Sequence, residues 1–208
     1  MFRQLLLSIL DLLGLRARVR RIRKFLKAHG YDVWQPLVPI PEFERALHGA
    51  IDRLLPCEPG RAFGDYLEFG VGRGSTMACV SRVLHQRGLK GVRMIGFDSF
   101  AGMPPPSPGD NWQAGDYHSS LAATRRHLRR QGLDLDRIRL VKGWFRNTLN
   151  DETRVRLGLR KTRLIVIDCD NYAGTVLALQ FCALLIPDRA VLIFDDWGWE
   201  ADRGVIGQ

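Results

Sequence analysis

Apolar residues recur along this chain with two different spacings. Five short apolar runs of strand length alternate with longer segments in which apolar residues recur every three or four positions. The runs cover 65–70, 92–98, 137–143, 163–168 and 190–196, and the helical segments cover 42–55, 75–88, 120–132 and 175–186. Strands that alternate with helices predict an α/β fold with a doubly wound, mostly parallel sheet and right-handed crossovers.

Acidic pairs end the last two apolar runs. Asp168 and Asp170 close one run, and Asp195 and Asp196 close the next. Because ligands of an open parallel sheet bind outside the carboxyl ends of its strands, we expect these carboxylates in one crevice, where they could share a divalent cation such as Mg2+. The alternative is that Asp168 and Asp196 are helix caps and that the other two are solvated. The residues alone leave both interpretations open.

A glycine-rich segment, EFGVGRGST, follows the first run. Gly70, Gly72 and Gly74 would let the backbone approach a ligand just before a helix begins, while Glu68 precedes them and Asp98 ends the next strand. An acidic side chain at the position of Asp98 can accept hydrogen bonds from ribose hydroxyls. The glycine spacing differs from the GxGxxG of dinucleotide sites, and Glu68 would repel a pyrophosphate. The segment therefore favours S-adenosylmethionine, which carries an amino group and a sulfonium but no phosphate.

The positive charge is concentrated at one end of the chain. The 208 residues carry a net charge of +9, of which residues 1–30 contribute +7. Such an arm does not predict a nucleic-acid-binding face, so we expect no nucleic-acid partner. The arm predicts a basic amphipathic helix that packs on the domain or a partner subunit, or that contacts an anionic membrane surface. It is too short and too charged to span a bilayer, and its basic cluster follows the apolar stretch, unlike a signal peptide.

The pattern divides the chain into an arm at 1–30, a proline-punctuated and helical lead-in at 31–63, and a cofactor-binding domain at 64–208. The long irregular stretch 99–120 exceeds an ordinary connection and predicts a substrate loop. The four cysteines show no CxxC spacing, which indicates reduced thiols. We therefore expect a cytoplasmic protein, with contact at the inner membrane surface and homo-oligomer formation as open alternatives.

Five motifs carry a family resemblance. In order, LEFGVGRGST, GFDSFAGMP, VKGWFRNTL, IDCDNYAGT and IFDDW resemble the macrocin O-methyltransferase family of metal-dependent sugar methyltransferases, over residues 64–198. The resemblance implies a Rossmann-like class I methyltransferase fold, S-adenosylmethionine as the methyl donor and a Mg2+ ion. It also implies a small glycosylated acceptor on which a sugar hydroxyl is methylated.

The same resemblance implies roles for individual residues. The cofactor-binding residues would be Glu68, Gly70, Gly72, Ser75 and Thr76 at the amino acid part, Asp98 and Ser99 at the ribose, and Gly143, Trp144 and Phe145 at the adenine. Asp168, Asp195 and Asp196 would be the metal ligands, and Asp168 would also be the catalytic general base. Asp170 would hold a neighbouring loop or ligand.

The sequence departs from the family pattern at some positions, so alternative interpretations of its fold and function stay open. Gly72 stands where the family often has an aromatic residue, and the family continues past the last motif into a helix and an antiparallel pair of strands. We therefore expect either a fragment or a sheet that lacks those strands. A DxD at a strand end also fits another metal-dependent nucleotide-using transferase or a phosphatase. A different class is a non-catalytic scaffold that keeps the cofactor fold beside a membrane or partner, and cofactor binding separates it from an enzyme.

Overall fold

The structure, a computed structural model, describes residues 25, 40–55, 63–107, 112–159 and 161–195. The rest of the predicted arm and most of the lead-in lie outside these ranges, as do Cys57 and Asp196. The helices are α1 (Ile40–Leu54), α2 (Ser75–Gln86), α3 (Leu121–Arg130), α4 (Phe145–Thr148), α5 (Asp151–Leu157) and α6 (Tyr172–Ala183). The strands are β1 (Asp65–Phe69), β2 (Met94–Asp98), β3 (Ile138–Lys142), β4 (Thr162–Ile167) and β5 (Val191–Phe194), and a 3-10 turn covers Leu135–Arg137.

All five strands form one parallel sheet in the order β3-β2-β1-β4-β5. The strand order reverses at β1, where the chain crosses first to one side of the sheet and then to the other. This confirms the predicted doubly wound α/β fold, because each of the five apolar runs is a strand of the sheet. The expected loss of a final antiparallel pair concerns residues beyond 195, outside the described ranges.

Successive side chains of each strand point to opposite faces of the sheet, and each face packs into its own hydrophobic core. Tyr66, Met94 and Leu164 are fully or almost fully buried on the face that α1, α2 and α3 cover. The helices contribute apolar residues at helical spacing, such as Leu47 and Ile51 of α1. The period-two alternation of a strand thus matches the buried stripe of each helix.

Aromatic rings fill the opposite face, under α4, α5 and α6. Phe69 and Phe97 stack on neighbouring strands with ring centroids 5.2 Å apart, and Phe181 of α6 meets Phe97 edge-on at 5.3 Å. These strands are buried on both faces, which explains why they read as continuous apolar runs. Solvent and ligands can therefore reach β1 and β2 only near the strand ends, where polar residues such as Asp98 lie.

The helices differ from the sequence predictions most at the start of α1, at both ends of α6 and in the presence of α4 and α5. Helix α1 begins at Ile40, two residues before the predicted start, because Pro41 is tolerated in a first turn, where its missing N–H is not needed. Helix α6 covers 172–183 instead of 175–186, since the Asn171 side chain accepts a hydrogen bond from the Gly174 N–H and caps it early. Leu185, beyond the helix end, is buried in the core. The short helices α4 and α5 were not predicted, being too short to show a period.

Cys79, Cys169 and Cys182 are buried and form no disulfide, in agreement with the expectation of reduced thiols. Within the described part of the chain, no helix combines the length and the apolar character needed to cross a membrane.

Candidate active site

A cavity of about 450 Å3 opens at the carboxyl edge of the sheet. Backbone hydrogen bonds extend the ladder past the strand ends and bring four predicted site residues to this edge. The donors are the N–H groups of Gly70, Gly143, Asp168 and Asp195, and the acceptors are the carbonyls of Phe97, Asp98, Phe69 and Ile167. Residues far apart in sequence therefore meet at one end of the sheet, as parallel topology requires.

Most of the predicted site residues line this cavity. They are Gly70, Gly72, Ser75, Thr76, Asp98, Ser99, Trp144, Phe145, Asp168 and Asp195. Glu68 and Gly143 are not in its wall, and Asp196 lies outside the described residues. Asp170, expected to hold a neighbouring loop or ligand, also lines the cavity.

The glycine turn after β1 brings backbone close to backbone. Gly70 has a φ of 89°, and a Cβ there would lie 1.6 Å from the Asp168 carbonyl oxygen, so no other residue fits without a shift of the backbone. Gly72 has a φ of 50°, but a Cβ there would meet nothing within 4 Å. Ser75 and Thr76, the first residues of α2, line the cavity. The N-terminus of this helix thus offers backbone N–H groups to a ligand.

Backbone N–H groups hold the Asp98 carboxylate. Its carboxylate accepts hydrogen bonds from the N–H of Gly72 at 2.7 Å and from the N–H of Phe100 at 2.5 Å. Burial raises the pKa of the Asp98 carboxyl, and these two hydrogen bonds oppose the shift. Ser99 is engaged inside its own loop, where its hydroxyl donates to the Gly102 carbonyl at 3.0 Å. Asp98 thus keeps a fixed orientation and has lone pairs left for hydroxyl donors.

Glu68 is buried and is not among the residues that line the cavity. The side chain is fully buried, and its Oε2 accepts a hydrogen bond of 2.5 Å from the Tyr66 hydroxyl. Burial raises the pKa of the Glu68 carboxyl to about 8, although the Tyr66 hydrogen bond opposes the shift. Its Oε1 has no hydrogen-bond partner among the described residues. Glu68 therefore lies in the core on the face of β1 that also carries Tyr66, two residues before the glycine turn begins at Gly70.

The acidic residues gather where β4 and β5 end. Ile167 and Phe194 are paired, and Asp168 and Asp195 follow them directly on strands that lie about 4.8 Å apart. Asp170 has a left-handed backbone with φ 55°, which turns the chain toward α6. Across the described ranges, no group of three or more His, Cys, Asp or Glu side chains could hold a metal ion. Carboxylate oxygens are nevertheless the ligands that Mg2+ prefers, and the third predicted ligand, Asp196, is not described.

Several cavity residues were missed by sequence reasoning. Tyr117, Met103 and Pro104 come from the predicted substrate loop, whose length was the available signal. Arg146 directly follows the aromatic pair Trp144 and Phe145 and lines the same wall. Phe43 reaches the cavity from α1, where it reads as one more residue of an amphipathic stripe. Nothing in the local sequence around Phe43 distinguishes it.

The fold and the site define a class of protein. A parallel sheet of this strand order, with a glycine turn after the central strand and an acidic residue ending the next, is the nucleoside-cofactor fold of class I methyltransferases. The solved structure of the O-methyltransferase NovP has a similar fold, with a TM-score of 0.62 and 20% identity over 89% of this chain and 82% of that chain. The chain belongs to the macrocin O-methyltransferase (TylF) family, whose model matches residues 48–205. This match confirms the resemblance that the five motifs indicated.

Two curated relatives are similar over the same region. One is the 8-demethyl-8-(2,3-dimethoxy-alpha-L-rhamnosyl)-tetracenomycin-C 4'-O-methyltransferase of Streptomyces olivaceus, 29% identical over 69% of this chain and 56% of its own length. The other is the mycinamicin III 3''-O-methyltransferase of Micromonospora griseorubida, 28% identical over 69% of this chain and 59% of its own length. The chain thus spans less than two thirds of either relative.

Proposed function

We propose that this chain is an S-adenosylmethionine-dependent O-methyltransferase that methylates a hydroxyl of a sugar or glycosylated metabolite. The observation that carries the proposal is the cavity, because the glycine turn, Asp98, Asp168 and Asp195 all line it. Family membership supports the reaction class. The rhamnosyl group in the name of one relative supports a sugar acceptor.

The cofactor-side residues suit a ligand that has a ribose and a cationic amino acid part but no phosphate. Gly72 leaves the backbone bare at the cavity, Gly70 lets the turn approach the Asp168 carbonyl closely, and the start of α2 supplies N–H groups. Asp98, already fixed by two N–H donors, would accept ribose hydroxyls through its remaining lone pairs. Trp144 and Phe145 would cover the adenine. When bound, S-adenosylmethionine supplies a methyl group activated by its sulfonium.

Glu68 would act on this cofactor from behind the glycine turn. It is fully buried and absent from the cavity wall, so direct contact with the amino acid part would require the turn to shift. Gly143 is also absent from the cavity wall, and its N–H donates to the Asp98 carbonyl at 2.9 Å. Both residues would therefore shape the cofactor pocket through the residues that line it.

Asp168 is the proposed general base. It lines the cavity between the glycine turn and β5, and a carboxylate there can accept the proton of the acceptor hydroxyl as the methyl group is transferred. We also propose that Asp168, Asp195 and Asp196 hold a divalent ion, for which their oxygens are suitable ligands. Such an ion would lower the pKa of the acceptor hydroxyl. Orientation of that hydroxyl by the cavity wall would supply much of the remaining acceleration.

Calorimetric titration with S-adenosylmethionine, with Mg2+ and then with chelator, tests the cofactor assignment. We expect a dissociation constant in the range of about 1 to 100 μM, equivalent to roughly −8 to −5.5 kcal/mol. No binding by a chain that circular dichroism shows to be folded would contradict the proposal. That outcome would favour the scaffold or another nucleotide-using transferase.

The substitution Asp168→Asn tests the base. Release of S-adenosylhomocysteine with a panel of rhamnosylated acceptors should fall by a factor of about 100 or more, in the range of a lost general base, while the cofactor dissociation constant stays within about tenfold. Asp136→Asn, which neutralises an exposed carboxylate ahead of β3, is the matched control and should retain turnover. Turnover retained in Asp168→Asn would rule out this assignment.

A further inference from the structure

The peptide groups around Gly72 are held from two directions. The Gly72 N–H donates to Asp98 Oδ2 at 2.7 Å, and the Gly72 carbonyl accepts from Thr124 Oγ1 at 2.6 Å. Gly72 lines the cavity with a φ of 50° and has open space where a Cβ would be. A glycine can adopt either sign of φ, so sterics do not fix this turn. The two hydrogen bonds therefore set the orientation that the turn presents to a cofactor.

Thr124 belongs to a short chain of buried hydroxyl groups. Its side chain is fully buried, and its Oγ1 lies 3.2 Å from Ser119 Oγ, which is also buried. Because the single Thr124 O–H donates to Gly72, the Ser119 O–H must be the donor in the second contact. The hydrogen bonds thus run in one direction, from Ser119 through Thr124 to the Gly72 carbonyl.

Ser119 lies at the end of the loop that joins β2 to α3, residues 99–120. This β2–α3 loop contributes Met103 and Tyr117 to the cavity wall. Its two described arms are joined by hydrogen bonds of 2.8 Å, from the Met103 N–H to the Asp116 carbonyl and from the Gly115 N–H to the Met103 carbonyl. Tyr117 is only two positions before Ser119, so a movement of the cavity wall at Tyr117 also moves the backbone of Ser119.

Helix α3 supports the glycine turn from behind. A Cβ at Gly74 would lie 2.8 Å from Leu128 Cδ2 and 3.4 Å from Thr124 Cγ2. Ser120 caps the same helix by accepting a hydrogen bond from the Ala123 N–H at 3.2 Å. The first turn of α3 is thus fixed both to the loop that precedes it and to the glycine turn it contacts.

We propose that the Ser119–Thr124 hydroxyl pair couples the β2–α3 loop to the cofactor turn, with Thr124 as a positioning residue for the Gly72 peptide. This inference rests on the proposed function, since it concerns the same cofactor site. Cofactor binding against Gly72 restrains Thr124, and the hydrogen bond from Ser119 extends this restraint to the β2–α3 loop, which also lines the cavity. The wall near Tyr117 and Met103 then opens less often when the cofactor is in place.

Three variants test the coupling, with S-adenosylmethionine as the probe. Thr124→Val keeps the shape of the side chain but removes the hydroxyl, and it should raise the dissociation constant at least fivefold. Thr124→Ser restores the hydroxyl and should stay within about twofold of the wild type. Ser119→Ala leaves the Thr124–Gly72 hydrogen bond intact, so its affinity should also stay within about twofold.

Hydrogen exchange separates coupling from a purely structural role. In the wild type and in Thr124→Ser, the cofactor should slow amide exchange in residues 112–119. In Ser119→Ala it should not, despite unchanged affinity. Wild-type affinity in Thr124→Val, or full protection of the loop in Ser119→Ala, would overturn the inference. If Thr124→Val does not fold, the Ser119→Ala result alone decides. A folded wild type that binds no cofactor would instead overturn the proposed function, and this inference with it.

Discussion

At the residue scale, Glu68 shows how position on a strand changes the chemistry of a side chain. It is the penultimate residue of β1 on the face that α1, α2 and α3 cover, where its carboxyl is fully buried and accepts a hydrogen bond from the Tyr66 hydroxyl. In the unfolded chain the carboxyl ionises with a pKa near the ordinary value of 4.5, whereas burial raises the pKa to about 8 in the folded chain. The folded state therefore holds a proton that the unfolded state has lost between these two values.

The stability that the neutral Glu68 carboxyl contributes is complete below the unfolded pKa and is lost as the pH rises through the folded pKa. Glu68→Gln keeps an oxygen acceptor for Tyr66 but cannot ionise. Relative to the wild type, its free energy of unfolding should increase by at least about 1 kcal/mol between about pH 5 and about pH 9, the value of roughly one pKa unit. Urea denaturation at both pH values measures this.

Glu152→Gln, which removes an exposed carboxyl from α5, is the control for loss of a negative charge. A difference between Glu68→Gln and the wild type that stays constant from low to high pH would show that the folded chain holds Glu68 ionised.

At the element scale, two helices begin with the same cap in different surroundings. Asn171 bridges the turn before α6, because its amide donates to the Cys169 carbonyl and its Oδ1 accepts from the Gly174 N–H, both at 2.6 Å. Asn150 does the same before α5, with the Asn147 carbonyl at 3.0 Å and the Thr153 N–H at 2.9 Å. Only the α6 cap adjoins the turn that carries the acidic residues.

Replacing either cap by alanine should lower the free energy of unfolding by about 1 kcal/mol. Asn171→Ala should also reduce turnover by about tenfold or more, because the turn from Asp168 to Asp170 loses the bond that fixes it; a small displacement of a reacting group is enough for this loss. Asn150→Ala, its matched control, should keep turnover. Equal turnover in the two variants would separate the α6 cap from catalysis.

At the scale of the whole molecule, one edge of the sheet forms the candidate site and the opposite edge contributes to stability. The carboxyl ends line the cavity, whereas the amino ends carry an ion pair between the buried Asp65 and the partly exposed Arg93. Arg93 contacts both oxygens of the buried Asp65, at 2.9 and 2.6 Å, and donates to the carbonyls of Leu157 and Gly158 at the end of α5. The hydrogen bond to Asp65 raises the pKa of the Arg93 guanidinium. This arrangement joins β1, β2 and α5 away from the site.

Arg93→Met should lower the free energy of unfolding by about 2 kcal/mol, because the buried Asp65 carboxylate loses two charge-assisted hydrogen bonds from the guanidinium. Cofactor affinity should stay within about twofold of the wild type. Arg82→Met, which breaks a more exposed pair with Glu44, should lower the free energy of unfolding by only about 0.5 kcal/mol. Thermal and urea unfolding, each followed by titration with cofactor, measure both effects. A loss of cofactor affinity in Arg93→Met that matches its loss of stability would contradict the separation of the two ends.

The sequence by itself determined the elements and their order. Each apolar run became a strand and each long periodic segment became a helix, because burial on one or both faces fixes a local repeat that is visible residue by residue. The same local signals located the glycine turn, Asp98 and the acidic strand ends, and parallel topology then predicted that they share one edge. The short helices α4 and α5 left no such repeat.

Only the tertiary structure decided which side chains meet. Phe43 lines the cavity from a helix that precedes β1, and Thr124 reaches Gly72 from a helix 52 residues further along the chain. The full burial of Glu68, and its hydrogen bond with Tyr66, likewise appear only in the folded chain. These contacts depend on how crossovers bring distant segments together, and a local sequence pattern carries no record of its spatial neighbours. The sequence therefore specified the edge where chemistry occurs, and packing specified the walls around it.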